Sequence, residues 1–224
     1  MIKRFNLFLK STIIIFSLLS IGLIVFVYHK IYTTTFRLSY EEIKTSLENN
    51  PTQCKKFVNC KLIPGDIIIR RYVTKVTDLF SKTLNPYFTH SAFYFGNDEL
   101  FEAVGNYGPP KDQILITKLS KSDWFDENMN NFIIIRPKNY NGKLDDIISG
   151  LRGIANDSEY VFGPLQEGKK MASCSDIILK YLEDEGVLTN LYKNPDIITP
   201  DYLFWVIEKD PSNFGTVGYD INPK

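Results

Sequence analysis

A block of short apolar strands followed by a block of helices predicts an α+β fold built on an antiparallel sheet. An uncharged apolar run from Ser11 to Tyr28 predicts one N-terminal transmembrane helix ahead of that domain. Size is the third observation: 224 residues, 44% of them hydrophobic, are enough to bury one sizeable core. Twenty-six basic and twenty-six acidic residues cancel. That leaves no positive excess to grip a phosphate backbone and argues against nucleic acid as a partner.

The N-terminal run is preceded by Lys3, Arg4 and Lys10 and followed by His29 and Lys30. As a helix it would be roughly 27 Å long, close to the ~30 Å hydrocarbon core, and lysines at both ends can snorkel to close the gap. A cleaved signal peptide shares the positive start. The run is longer than a usual signal core, however, and Tyr28-His29-Lys30-Ile31-Tyr32 follows where a small-residue cleavage site would stand. The reading is an uncleaved anchor with the membrane as partner, the N-terminus cytoplasmic and the body periplasmic or extracellular. Residues 1–30 then form the anchor, 31–60 a connector, 61–210 one globular domain and 211–224 a C-terminal tail. Cys54 and Cys60 can close a small disulfide in the connector, which suits a compartment outside the cytosol and leaves Cys174 as the odd thiol.

The elements follow in order. Phe36 to Leu47 reads as a short stalk or helix. Pro64-Gly65-Asp66 turns the chain into a buried strand at Ile67 to Arg70. Val73 to Leu84 has an amphipathic helical pattern, weakened by its Val and Thr content. Phe88 to Phe95 and Leu100 to Val104 are strands joined by the hairpin signal Gly96-Asn97-Asp98. Gln113 to Leu119 and Asn131 to Arg136 are further strands, the second closed by Pro137. Leu144 to Ala155, Cys174 to Glu185 and Pro200 to Ile207 carry helical patterns.

Chemistry concentrates on Cys174 and on His90, one of only two histidines. Ser173 before an apolar-periodic run, with Asp176 three positions later, is a capping-box pattern that puts Cys174 in the first helical turn. Unpaired backbone N–H groups and the positive dipole end there favour a thiolate and can receive a developing oxyanion. Ile177, Ile178 and Tyr181 share the stripe of Cys174, so the thiol points inward. An ordinary core cysteine has the same appearance. On the strand, His90, Ala92 and Tyr94 share one face, while Ser91, Phe93 and Phe95 take the other. Glu102 lies on the face of His90 if the hairpin loop is Gly96 to Asp98, and on the wrong face if the loop has two residues. The alternative for Glu102 is a solvated strand carboxylate.

The ordered set Pro64-Gly65-Asp66-Ile67-Ile68, Thr89-His90-Ser91-Ala92, Phe101-Glu102-Ala103 and Cys174-Ser175-Asp176 resembles the circularly permuted papain-like amidases. These are the YiiX/YaeF-like branch of the NlpC-type cysteine peptidase superfamily, related to lecithin:retinol acyltransferase-like enzymes. Ile198-Thr199-Pro200-Asp201-Tyr202-Leu203 is similar to a segment that follows the cysteine helix there. The likeness spans roughly Leu62 to Leu203, and histidine before cysteine fits the permuted order. It implies a papain-like antiparallel sheet packed against the cysteine helix, with Cys174 as nucleophile, His90 as base and Glu102 orienting the imidazole. Tyr160 falls where relatives carry a tyrosine near the substrate, although packing is the plainer role. Ser175-Asp176 stands where relatives often have Ser-Glu.

The expected function is a membrane-anchored cysteine hydrolase, amidase or acyltransferase working through an acyl-enzyme, with a peptidoglycan peptide or an acyl lipid as substrate. The alternative is a non-catalytic, surface-anchored binding or scaffold domain of the same fold. No cofactor is expected, since one histidine and one cysteine lack the ligand count of a structural zinc site.

Overall fold

The computed structural model describes residues 2–48, 50, 52–71, 86–104, 113–122, 131–140, 142–155, 173–189, 192, 195 and 198–223. Six strands form one antiparallel sheet: β1 Ile67–Arg70, β2 His90–Gly96, β3 Glu99–Val104, β4 Gln113–Lys118, β5 Phe132–Pro137 and β6 Phe214–Asp220. Their spatial order is β4-β3-β2-β1-β5-β6. The helices are α1 Ile2–Thr34, α2 Tyr40–Leu47, α3 Leu144–Ala155, α4 Cys174–Asp184 and α5 Pro200–Glu208. The α+β expectation and the packing of the cysteine helix on an antiparallel sheet therefore hold.

The isoleucine runs are explained by burial on both sheet faces. On one face Ile67, Ile69, Phe93, Phe101, Ile133 and Ile135 pack under α3, α4 and α5. On the other, Ile68, Ala92, Leu100, Phe132, Ile134 and Val217 are covered by Phe57 and Leu119. Neither face of β1 meets water, so the strand reads as continuous Ile rather than alternating. Each buried isoleucine contributes about 1.5–3 kcal/mol.

Three expectations are corrected. Among the described residues no helix is long and apolar enough to cross a membrane, so the transmembrane helix predicted from Ser11 to Tyr28 does not stand. Secondly, the connector is part of the domain. α2 buries Ile43 and Leu47, one turn apart, in the main core, and Ser39 and Glu42 close a full capping box on it. Thirdly, the assigned tail contains β6, which pairs with β5 from Phe132↔Asp220 to Pro137↔Phe214. The glycines Gly215 and Gly218 hide this strand in the sequence. Gly218 is required because the Cys54 sulfur and carbonyl pack where its Cβ would be. The predicted helix from Val73 to Leu84 lies outside the described residues.

The Cys54–Cys60 disulfide is formed, with Cα atoms 5.3 Å apart, and Cys174 is free and buried.

Candidate active site

The site begins with the cap of α4. The Ser173 hydroxyl accepts from the Asp176 N–H at 3.3 Å, which places Cys174 at the first helical position. Among the described residues no bond returns from the Asp176 carboxylate to the cap. An aspartate is one methylene shorter than the glutamate that completes the box in α2. Ser173 Oγ instead donates to the Ile198 carbonyl at 3.3 Å, tying the helix start to the segment that enters α5. Cys174, Ile177 and Ile178 are buried, as the inward stripe predicts, whereas Tyr181 on that stripe is only partly buried and Leu182 is buried beside it.

The histidine is set by the entry to β2. Asp201, fully buried in the first turn of α5, accepts from Tyr87 N–H at 2.8 Å and Phe88 N–H at 2.7 Å, and from Leu38 N–H at 2.9 Å. Two residues later His90 opens the strand. Register decides whether Glu102 can reach it. Asn97 and Asp98 both adopt positive φ, 51° and 67°, as a two-residue hairpin turn demands. A bulge between Tyr94 and Gly96 then shifts the pairing by one, and Ala92 faces Glu102. The loop with the unfavourable parity is present, and the bulge corrects it.

Glu102 and His90 consequently meet: His90 Nε2–H donates to Glu102 Oε2 at 3.0 Å, with both side chains nearly excluded from water. The other carboxylate oxygen accepts from Thr117 Oγ1–H at 2.6 Å, so Glu102 is held at both ends. Glu102 is therefore a buried, engaged carboxylate and not a solvated one. With Nε2 taken, Nδ1 is the ring nitrogen left for the thiol, and the Cys174 and His90 side chains lie close enough to act on each other's ionisation.

Burial opposes charge on both partners, but their mutual contact outweighs it. Desolvation pulls His90 down, while hydrogen bonds to Cys174 and Glu102 bring it up to about 9. Desolvation pushes the Cys174 thiol up, while His90 and then the Ser91 hydroxyl and N–H bring it down to about 7. The two shifts run in the same sense, toward a thiolate beside an imidazolium. Burial raises Asp176 to about 6, with Lys180 opposing and Glu183 adding to the rise. Arg70, buried on β1, is the cross-strand partner of His90.

Cys174, His90 and Glu102 are thus brought together from α4, β2 and β3. Tyr160 lies outside the described residues. Reading the sequence missed Thr117, Ser91, Ser175 and Asp201. Thr117 pairs opposite Leu100 on the face of Glu102, a placement that only the β3–β4 register reveals. Asp201 carried a visible but ambiguous signal, since an acidic residue after Pro200 also suits an ordinary helix start. Among the described residues no three His, Cys, Asp or Glu side chains gather as metal ligands. No protein-family model matches the chain, and no curated protein matches it.

Proposed function

We propose that the protein is a cysteine-dependent hydrolase or acyltransferase acting on amide or ester carbonyls, of the permuted papain-like type its motif order resembles. One observation carries this reading: a buried thiol at a helix N-terminus beside an imidazole that favours its thiolate and whose Nε2 is held 3.0 Å from a carboxylate. Nucleophile, base and orienting group in series are what acyl transfer through a thiolate requires.

The Cys174 sulfur attacks the carbonyl carbon, and the backbone N–H groups at the start of α4 face the developing oxyanion. As the tetrahedral intermediate collapses, the bond to the leaving amine or alcohol breaks and the His90 imidazolium supplies its proton. The thioester then reacts with water or another acceptor, from which His90 removes a proton, and the thiolate departs. Glu102 keeps its charge throughout and stabilises the imidazolium. The Cys54–Cys60 disulfide favours work in an oxidising, extracytoplasmic compartment.

Full-chain protein treated with a thiol-directed acyl probe should be labelled at Cys174. Labelling should vanish in Cys174→Ala and fall at least a hundredfold in rate in His90→Ala, with both variants folded by circular dichroism. Equal labelling of the wild type and both variants would end this reading.

A further inference from the structure

Next to the nucleophile lies a pair of side chains that the mechanism above does not use. Ser91 and Ser175 are both fully buried, and their hydroxyl oxygens are 3.0 Å apart. Ser91 belongs to the face of β2 that packs under α4, while Ser175 follows the nucleophile on the helix. Ser175 Oγ is 3.9 Å from the Cys174 sulfur. Ser91 acts on that sulfur too, since both its hydroxyl and its backbone N–H favour the thiolate. A hydroxyl has a single proton. If Ser91 gives its proton to sulfur, the proton between the two oxygens must come from Ser175.

We propose that Ser91 is a positioning residue for the nucleophile, the middle member of a relay from Ser175 through Ser91 to Cys174 that ends on the thiolate. The inference rests on the hydrolase reading of the same site and adds a second support to it. His90 meets the sulfur from one side, and the relay holds it from the other. The directions of the donors suit a charged sulfur alone. A protonated thiol has its own hydrogen to place, and a thioester sulfur is a poor acceptor, so the relay favours the attacking form over both.

The charged groups nearest the thiol are His90 on β2 and Glu102 behind it on β3; Arg70 lies opposite His90 on β1, and Asp176 and Asp201 stand in the first turns of α4 and α5. None of them is altered by exchanging Ser91, so a shift in the thiol's ionisation on that exchange belongs to the relay.

The test follows the rate of Cys174 alkylation by iodoacetamide against pH in the full chain, where Cys54 and Cys60 are blocked by their disulfide. The wild-type midpoint should lie near 7, below the ordinary thiol value. Ser91→Ala should raise it by about one to two pH units, the size of one hydrogen bond to a charged acceptor. Ser91→Thr keeps the hydroxyl and should restore the wild-type midpoint, and Ser175→Ala should give a smaller rise. An unmoved midpoint in folded Ser91→Ala overturns the relay, and so does a shift in Ser91→Thr as large as in Ser91→Ala. Acyl-probe labelling separates the two ideas. Labelled wild type with an unmoved Ser91→Ala midpoint sinks the relay and spares the hydrolase. Unlabelled wild type with a moved midpoint does the reverse.

Discussion

Replacing Glu102 by glutamine isolates the charge behind the imidazole. The amide has the shape of the carboxylate, its oxygen can accept from His90 Nε2–H, and its NH2 can donate to Thr117 Oγ1. What is lost is the charge, 3.0 Å from the ring and shielded from water. A hydrogen bond to a charged group contributes about 1.5–3 kcal/mol, and one pKa unit corresponds to 1.36 kcal/mol. His90 should therefore fall by about one to two units from its value near 9. The sign follows from the imidazolium being the form that Glu102 stabilises. As His90 falls toward the thiol near 7, the window in which thiolate and imidazolium coexist closes from its alkaline side. The chain has two histidines, so nuclear magnetic resonance of imidazole-labelled protein gives two titrating rings. His29→Gln removes the second signal. The steps belong to the coupled pair, and a Cys174→Ala titration, which should also lower His90, separates the two contributions. A His90 midpoint unchanged to within about a third of a unit in Glu102→Gln would refute the claim that this carboxylate sustains the ion pair. A wild-type midpoint near the ordinary ~6.5 would refute the pair itself.

Two further perturbations probe the surroundings of the site. Thr117→Val leaves one oxygen of a buried carboxylate without its donor. It should cost about 1–3 kcal/mol in denaturant unfolding and slow acyl-probe labelling roughly tenfold; full rate with unchanged stability would show that Glu102 needs no such support. Removing the disulfide as Cys54→Ser/Cys60→Ser opens a link spanning six positions. It should cost about 2 kcal/mol of stability on the chain-entropy estimate, while the alkylation rate of Cys174 stays within about twofold of wild type; a larger change in that rate would couple the two sites.

Much of the architecture was legible because its signals are local. Leu144 to Ala155 is bounded as the periodicity requires, and Ser173 caps α4 as a serine before an apolar stripe should. Strand starts and ends moved by no more than two residues, from Phe88 to His90 at the start of β2 and from Phe95 to Gly96 at its end. Other features failed for identifiable reasons. β6 carries two glycines, one of them a landing site for the disulfide, and so lacks strand composition. The helix read within Phe36 to Leu47 is present as α2, but it is too short for its two buried residues to mark it in the sequence as part of the core. The uncharged N-terminal run satisfied a length argument, but among the described residues no helix is long and apolar enough to cross a membrane.

The sequence alone determined which residues could do chemistry and in what local setting. A serine-capped helix start makes a thiol at Cys174 electrophile-seeking, and a strand start presents His90, because capping and side-chain alternation act within a few residues. Only the tertiary structure decided that they touch. Cys174 and His90 are 84 positions apart, and their contact depends on where α4 lies over β2. Glu102 joins them through a single bulge beyond the hairpin turn. One residue of slip would have turned that carboxylate to the other face, and register is set by how the whole sheet packs, which no local window contains.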